Sequence, residues 1–505
     1  MKNNDRLSFI VDFLGLSFIG SFCLAYSLFY KNFAKLYLYF KMLDFPIFMG
    51  EVLLFICALL FFIKVLLKPV KLKKTGYILI LYLLFVFFKA ITGYYEFGPL
   101  AFRHAAIFYY PLFAIFIYYF FSRIFFNDKL SLFLVLVIIF FFKLFPPHEY
   151  YFFTFFVLSV ILIKIQSRKS IKYILFFLLL LVFPFKSLFL GIRMMLIGNV
   201  VAILFLAAMI LKWIKVKKYY KFFFTAIFLL IFAFTLFKNV DRNAILSLIN
   251  PKKIIAIYQE YNKVVADKEG SYSEVNLKTK LYNPIPEVKV VPKAQTAQIT
   301  PEPEVKVVPK AQTAQITPEP QIRVESYALT PPESAMKPQI NPVNLLSSKQ
   351  EYRDLGVAYN NVIFRIFIWR DVCKQLISNI PIFGFAFGKP FRSKSLEILG
   401  WAETEWKKVG WISMHNSYLD IIYRGGIIGL GVIITLLAIL CIMFKKVLSI
   451  NSFSGILLLS VLISWLIASS FLETLELPCT AIVFWSLFGL LYAYLFKPIE
   501  SDVLT

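Results

Sequence analysis

Met414-His415-Asn416-Ser417-Tyr418-Leu419-Asp420-Ile421-Ile422-Tyr423-Arg424-Gly425-Gly426-Ile427-Ile428-Gly429 is the stretch on which the reading of this chain turns. It sets a histidine and a neighbouring amide at the start of a helix whose continuation, residues 427–444, is an apolar run of membrane length. Asn416, Asp420 and Arg424 fall at i, i+4 and i+8, on one helical face. Glycines follow where that helix has to pack closely. The pattern is that of a chemical site mounted on a transmembrane scaffold.

Moving outward, the same apolar character extends over most of the chain. Of 505 residues 59% are hydrophobic, 18% aromatic and only 16% charged, against about 25% charged in a soluble domain. Apolar runs predict about twelve transmembrane helices, at 7–30, 45–67, 76–91, 105–121, 130–145, 150–165, 174–190, 194–214, 222–237, 427–444, 453–472 and 478–496. The expected fold is an all-α polytopic membrane protein. Lys2 and Arg6 precede a first run too long for a cleaved signal peptide, which reads as a signal anchor. The net charge of +25 sits mainly in short loops between apolar runs, which argues against a nucleic-acid partner and for topology determinants. Cys23, Cys57, Cys441 and Cys479 lie in or beside spans and Cys373 in a loop, so the five cysteines give neither a disulfide framework nor a zinc or iron–sulfur spacing.

Basic loops at 64–74, 123–129, 164–172, 212–221 and Lys445–Lys446 alternate with poorer ones at 146–150 and 473–477. Basic loops stay cytoplasmic, so both termini are expected inside and one large loop outside, facing the periplasm. The domain reading is a bundle of about nine helices at 1–238, a periplasmic loop at 239–426, and about three helices with a cytoplasmic tail at 427–505. Within the loop, 243–267 is helix-patterned, with Ile254, Ile255, Ile257, Tyr258 and Tyr261 on one face. Residues 287–303 and 304–320 are identical copies of EVKVVPKAQTAQITPEP. Two copies are too few for a solenoid, and 283–348 reads as a disordered spacer. Residues 350–426 read as the ordered helical part that carries chemistry, including a helix at 361–379 ended by Pro381.

Only three histidines occur, His104, His148 and His415, and this topology puts all three at the external face. His148, after Pro146-Pro147, reads as an interfacial residue. An imidazole titrates near neutral pH, so His415 can take a proton from an attacking hydroxyl; its plain alternative is a helix-end residue bonded to a carbonyl. Arg193, between two apolar runs, is either a snorkelling anchor or a planar fork for phosphate. Arg365 and Trp369 stand one helical turn apart, which lets guanidinium stack on indole. Arg370 and Lys374 repeat the spacing, as an anion site or simply a polar face. The turn Pro381-Ile382-Phe383-Gly384-Phe385-Ala386-Phe387-Gly388-Lys389-Pro390-Phe391 is apolar and glycine-punctuated, fit to lie against the membrane. Arg103-His104 adds an external charge near the fourth span. Neither a P-loop nor a carboxylate cluster suited to a metal is present.

Taken together, these residues resemble the O-antigen ligase and polymerase superfamily of bacterial envelope glycosyltransferases. His415-Asn416, nine residues, then Gly426-x-x-Gly429 is similar to the ligase pattern. Arg365-x-x-x-Trp369 followed by Pro381-x-x-Gly384-x-x-x-Gly388-x-x-Phe391 looks like the segment before it, and Arg193 like the family's earlier arginine. Where members often have a Ser-Arg-Gly-like sequence, this chain has Ile192-Arg193-Met194. The resemblance implies an inner-membrane enzyme without cofactor or metal. It would transfer an undecaprenyl-pyrophosphate-linked glycan to a lipid A–core or other glycan acceptor at the periplasmic face. His415, Arg193 and Arg365 would be its catalytic residues, and Asn416, Arg370, Trp369 and Arg103 would bind substrate. An O-antigen polymerase or a protein O-oligosaccharyltransferase shares these features. A lipid-linked glycan flippase would instead place charges along a mid-membrane cavity between two similar halves.

Overall fold

The computed structural model describes residues 3–40, 45–69, 74–121, 350–379, 381–399, 414–450 and 452–497, with short pieces at 144, 151, 154, 158, 198, 201–202, 204–205, 255–256 and 258–268. The predicted spans between 130 and 237 lie outside the described residues but for single positions. Arg193, His148 and the tandem repeat lie outside them altogether.

Helices dominate: α1 (Asn3–Ala34), α2 (Met49–Leu67), α3 (Lys74–Phe97), α4 (Leu100–Tyr109), α5 (Leu112–Phe120), α6 (Gln350–Asn379), α7 (Lys394–Ile398), α8 (Ser417–Ser449), α9 (Phe453–Ser469) and α10 (Pro478–Phe496). Among the described residues five of these, α1, α2, α3, α8 and α10, are long and apolar enough to cross a membrane. The chain is therefore a helical membrane protein.

Two departures from the predicted spans have local causes. The span read at 105–121 is two helices, α4 and α5, bent by 45°. Pro111 stands at the break; it offers no N–H to the preceding turn and its ring crowds the carbonyl before it. The second span was expected to start at residue 45. Instead β1 (Tyr37–Phe40) pairs antiparallel with β2 (Phe45–Phe48), Tyr37 opposite Phe48, and helix begins only at Met49. Aromatic residues are frequent in both short strands, as suits a pleated hairpin, and this small element sits within an otherwise helical architecture that agrees with the expected all-α membrane fold.

α10 sits at the centre. It packs against α5, α1 and α9, and a side chain at Gly489 would collide with the backbone of Ala114, so α5 and α10 approach as closely as two helices can. In contrast α2 and α3 leave Phe55, Phe62, Leu66, Ile78 and Leu81 exposed, an apolar surface suited to lipid. One end of the bundle is basic: Lys64 binds Asp12 and the Tyr119 carbonyl, Lys68 pairs with Asp5 at 2.9 Å, and Lys497 binds the Phe121 carbonyl. The start of α8 lies at the other end, where Tyr418 donates to the Leu466 carbonyl of α9 at 2.8 Å.

α8 is broken at Gly426 (φ 57°, ψ −135°), a backbone conformation open to glycine. The break admits the loop 381–391. Gly384 (φ 72°) lies directly on the Arg424 carbonyl and the Gly426 nitrogen. The Ile427 N–H, freed by the break, donates to the Ile382 carbonyl at 2.9 Å, and Phe385 N–H to the Tyr423 carbonyl at 2.8 Å. Lys89 from α3 donates to the Phe383 and Arg424 carbonyls, and buried Arg424 to those of Ala386 and Lys389. The Ile427 N–H and the Tyr423 and Arg424 carbonyls beside the break are so given partners, as a nonaqueous setting demands.

Gly426→Ala and Gly384→Ala are each expected to destabilise the protein. The backbone term alone is about 1–3 kcal/mol, and the new Cβ would overlap the facing chain. Thermal unfolding in detergent should show a lowered midpoint for both, and none for Gly431→Ala, whose Cβ would meet nothing within 4 Å.

Candidate functional site

The segment leading into α8 is fixed residue by residue. Asn416 is its N-cap: its side-chain oxygen accepts from Tyr418 N–H at 3.0 Å and Leu419 N–H at 3.1 Å. On the other side, the Trp369 indole N–H donates to the Met414 carbonyl at 2.9 Å. Met414 is buried with Ile363, Phe367 and Val372 of α6 and with Tyr261, in a second apolar core separate from that of the bundle. His415 between them has φ 48°, in a region that histidine enters more readily than most residues. Its ring lies 5.9 Å from that of Phe364.

His415 Nδ1 is 3.3 Å from Glu473 Oε1, in the loop joining α9 to α10. Burial, with the Arg365 guanidinium adding to it, pushes the imidazole pKa down to about 4. At neutral pH the ring is therefore uncharged and able to accept a proton. Glu473 is shifted the other way, to about 7, by burial and by Asp420; Arg103, Arg365 and Lys31 oppose that shift. Glu476 is raised well above the ordinary carboxyl range by burial, with Asp420 and Glu473 next in weight, and its hydrogen bond to Asp420 needs one proton between them. Arg103 Nε stands 3.3 Å from Glu476 Oε1 and Arg424 Nε 3.6 Å from Asp420 Oδ1. Cations from α1, α4 and α6 thus converge on a carboxylate beside the imidazole.

The structure brings together His415, Arg365 and Arg103 of the residues picked from sequence. It gives others an architectural place. Asn416 is occupied in capping α8, and Trp369 in holding the Met414 carbonyl, its ring 6.2 Å from Phe471. Arg370 binds Asn262 and Ser395 and lies over the Phe367 ring. His104 is buried; its Nδ1 accepts the Gly388 N–H at 2.9 Å and its Nε2 faces Arg424 at 3.4 Å. Sequence reasoning placed Asp420 on the face of α8 that enters the site but missed Glu473 and Glu476. A signal was present: two carboxylates three residues apart in a short loop between apolar spans, read only as poor in basic residues. Among the described residues no group of three or more His, Cys, Asp or Glu side chains is arranged to hold a metal ion. Compared with known proteins, the chain matches no family model, no curated protein and no solved structure.

The opposed shifts have a measurable consequence. Between about pH 6.5 and 4 the unfolded His415 binds a proton that the folded one does not, so its contribution to stability falls as pH falls. Glu473 holds its proton up to about 7 when folded and 4.5 when unfolded, so its contribution is lost as pH rises through 7. Glu473→Gln removes the second effect only. Its unfolding midpoint should drop more steeply from pH 6.5 to 4 than that of the wild type; parallel curves would contradict the opposed shifts.

Proposed function

We propose that this protein is a membrane glycosyltransferase of the O-antigen ligase type, passing a glycan from undecaprenyl pyrophosphate to a lipid A–core acceptor. The observation that carries the reading is the meeting of an uncharged imidazole, His415, with the Arg365 guanidinium at one end of an apolar helical bundle. Those are the groups that a sugar–diphosphate donor and a hydroxyl acceptor require, and the sequence pattern had picked both.

In this reaction the acceptor oxygen attacks the anomeric carbon as the bond to the diphosphate breaks. The hydroxyl proton passes to a ring nitrogen of His415. Arg365, aided by Arg193 and with Arg103 nearby, offsets the negative charge that gathers on the departing diphosphate. The energy is already in the donor's sugar–phosphate bond, so the reaction calls for no nucleotide. Direct displacement inverts the anomeric centre. The basic end of the bundle, with Lys64, Lys68 and Lys497, supports a cytoplasmic position for that end and a periplasmic one for the site, in the bacterial inner membrane.

His415→Ala is expected to lower transfer by ~10²–10⁴-fold with normal membrane insertion. The assay is gel analysis of glycan passed from lipid-linked donor to lipid A–core by protein in nanodiscs. A variant as fast as wild type would sink the reading. Growth of the donor-linked glycan without any acceptor would mark a polymerase, and transfer to a Ser or Thr peptide a protein-directed relative.

Arg365→Lys keeps the charge but not the planar fork, and should slow transfer while leaving His415 in place. Unchanged turnover in the same assay would count against a diphosphate role for Arg365.

A further inference from the structure

A neutral imidazole that accepts a proton at one nitrogen must carry its hydrogen on the other, and something has to decide which. At His415 that partner is on the page. Glu473 Oε1 lies 3.3 Å from Nδ1, at the outer limit of N–H···O reach, as contacts at unliganded sites often are. The Glu473 side chain is 13% exposed and that of His415 28%, so little water competes for the contact.

Both backbones that hold the pair are pinned to each other. Ser417, fully buried and two residues beyond His415, donates to the Leu472 carbonyl at 2.9 Å and accepts from the Leu475 N–H at 3.2 Å. One hydroxyl thereby clasps the chain on either side of Glu473. The loop is tightened from within: the Glu473 carbonyl accepts from Glu476 and Leu477 N–H, and Thr480 donates to the Thr474 carbonyl at 2.6 Å. With Asn416 capping α8 and Trp369 holding Met414, neither partner is carried on a loose loop.

We propose that Glu473 is a positioning residue for His415: its carboxylate accepts the Nδ1–H, selects that tautomer, and leaves Nε2 with its lone pair to receive the acceptor's proton. This role deepens, and for its chemistry rests on, the glycosyl-transfer reading above. The balance is simple. As the new C–O bond forms and the bond to diphosphate breaks, the hydroxyl proton goes to Nε2; the resulting imidazolium keeps both protons and is stabilised by the carboxylate, which takes none. Other charged groups face the pair from each packed element: Arg365 from α6, Arg103 from α4, Lys31 from α1, Asp420 from α8, and Glu476 from the same loop. Arg365 favours a neutral His415, and Arg103, Arg365 and Lys31 favour an ionised Glu473 against burial and Asp420, which leaves its carboxyl pKa at about 7 and the group ionised above that pH.

The chain's three histidines make the tautomer directly readable. ¹⁵N-histidine-labelled protein in nanodiscs is observed by NMR at pH 7.5, with the His415 signal assigned by its loss in His415→Gln. Wild type should show a protonated Nδ1 and a bare Nε2. Glu473→Leu should lose that preference and lower kcat by ~10²–10⁴-fold with KM for the donor unchanged. Glu473→Gln keeps an accepting oxygen without the charge, so it should retain the tautomer and fall between the two in rate, which also guards against a folding defect in the leucine variant. A proton on Nε2 in the wild type, or an unaltered tautomer in Glu473→Leu, overturns the proposal. If the tautomer responds as stated while His415→Ala still transfers glycan at full rate, the positioning contact stands and the glycosyl-transfer reading falls.

Discussion

Backbone meets backbone at Gly384 and Gly426, and the arrangement at this end of the molecule depends on that contact. Without side chains at either position, the loop 381–391 enters the break in α8 and supplies the hydrogen bonds the break removes. Lys89, Arg424 and His104 then close around it. The short first part of α8, residues 417–425, is thereby turned away from the axis of the rest. His415 is delivered to the α9–α10 loop rather than continuing the line of the span. A straight α8 would have no place for the loop that follows α6 in the chain.

The charges at this end follow from the same packing. Asp420, Arg424 and Glu476 are buried because the loop and α8 cover them, and unpaired ions in that setting would be costly. Arg424 is held by carbonyls of the loop and stands near Asp420; Glu476 is hydrogen-bonded to Asp420 and faces Arg103. Most of the polar groups are consumed in this mutual satisfaction. At the rim stand His415, Glu473 and Arg365, where α6, α8 and the α9–α10 loop come together.

Much of this could be read from the residues, and the failures are instructive. Apolar run length located α1, α3, α8 and α10 because hydrocarbon thickness imposes it, and the end of the span near residue 427 was signalled by Gly425-Gly426. The bend at Pro111 was written in the sequence too, but a hydropathy count does not register a missing N–H. Asn416 was read for its chemistry when its position before an apolar helix favoured a cap. The contacts of Arg370 with Asn262 and Ser395 are invisible in the sequence, because these partners are distant along the chain and have no periodic relation to it. For the same reason Glu473 went unnoticed: pairing between loops is set by tertiary closure, which no local spacing reveals.

The central position of α10 has a bearing on biogenesis. Its neighbours α1 and α5 are translated long before it, yet the surfaces they present to it, including the close approach at Ala114 and Gly489, stay unmatched until it arrives. The early helices can meet one another beforehand, but their contacts with α10 form only once it is in place. The late helix locks them, and Lys497 then latches onto the end of α5. Closure of the bundle thus follows, and does not precede, translation of α10.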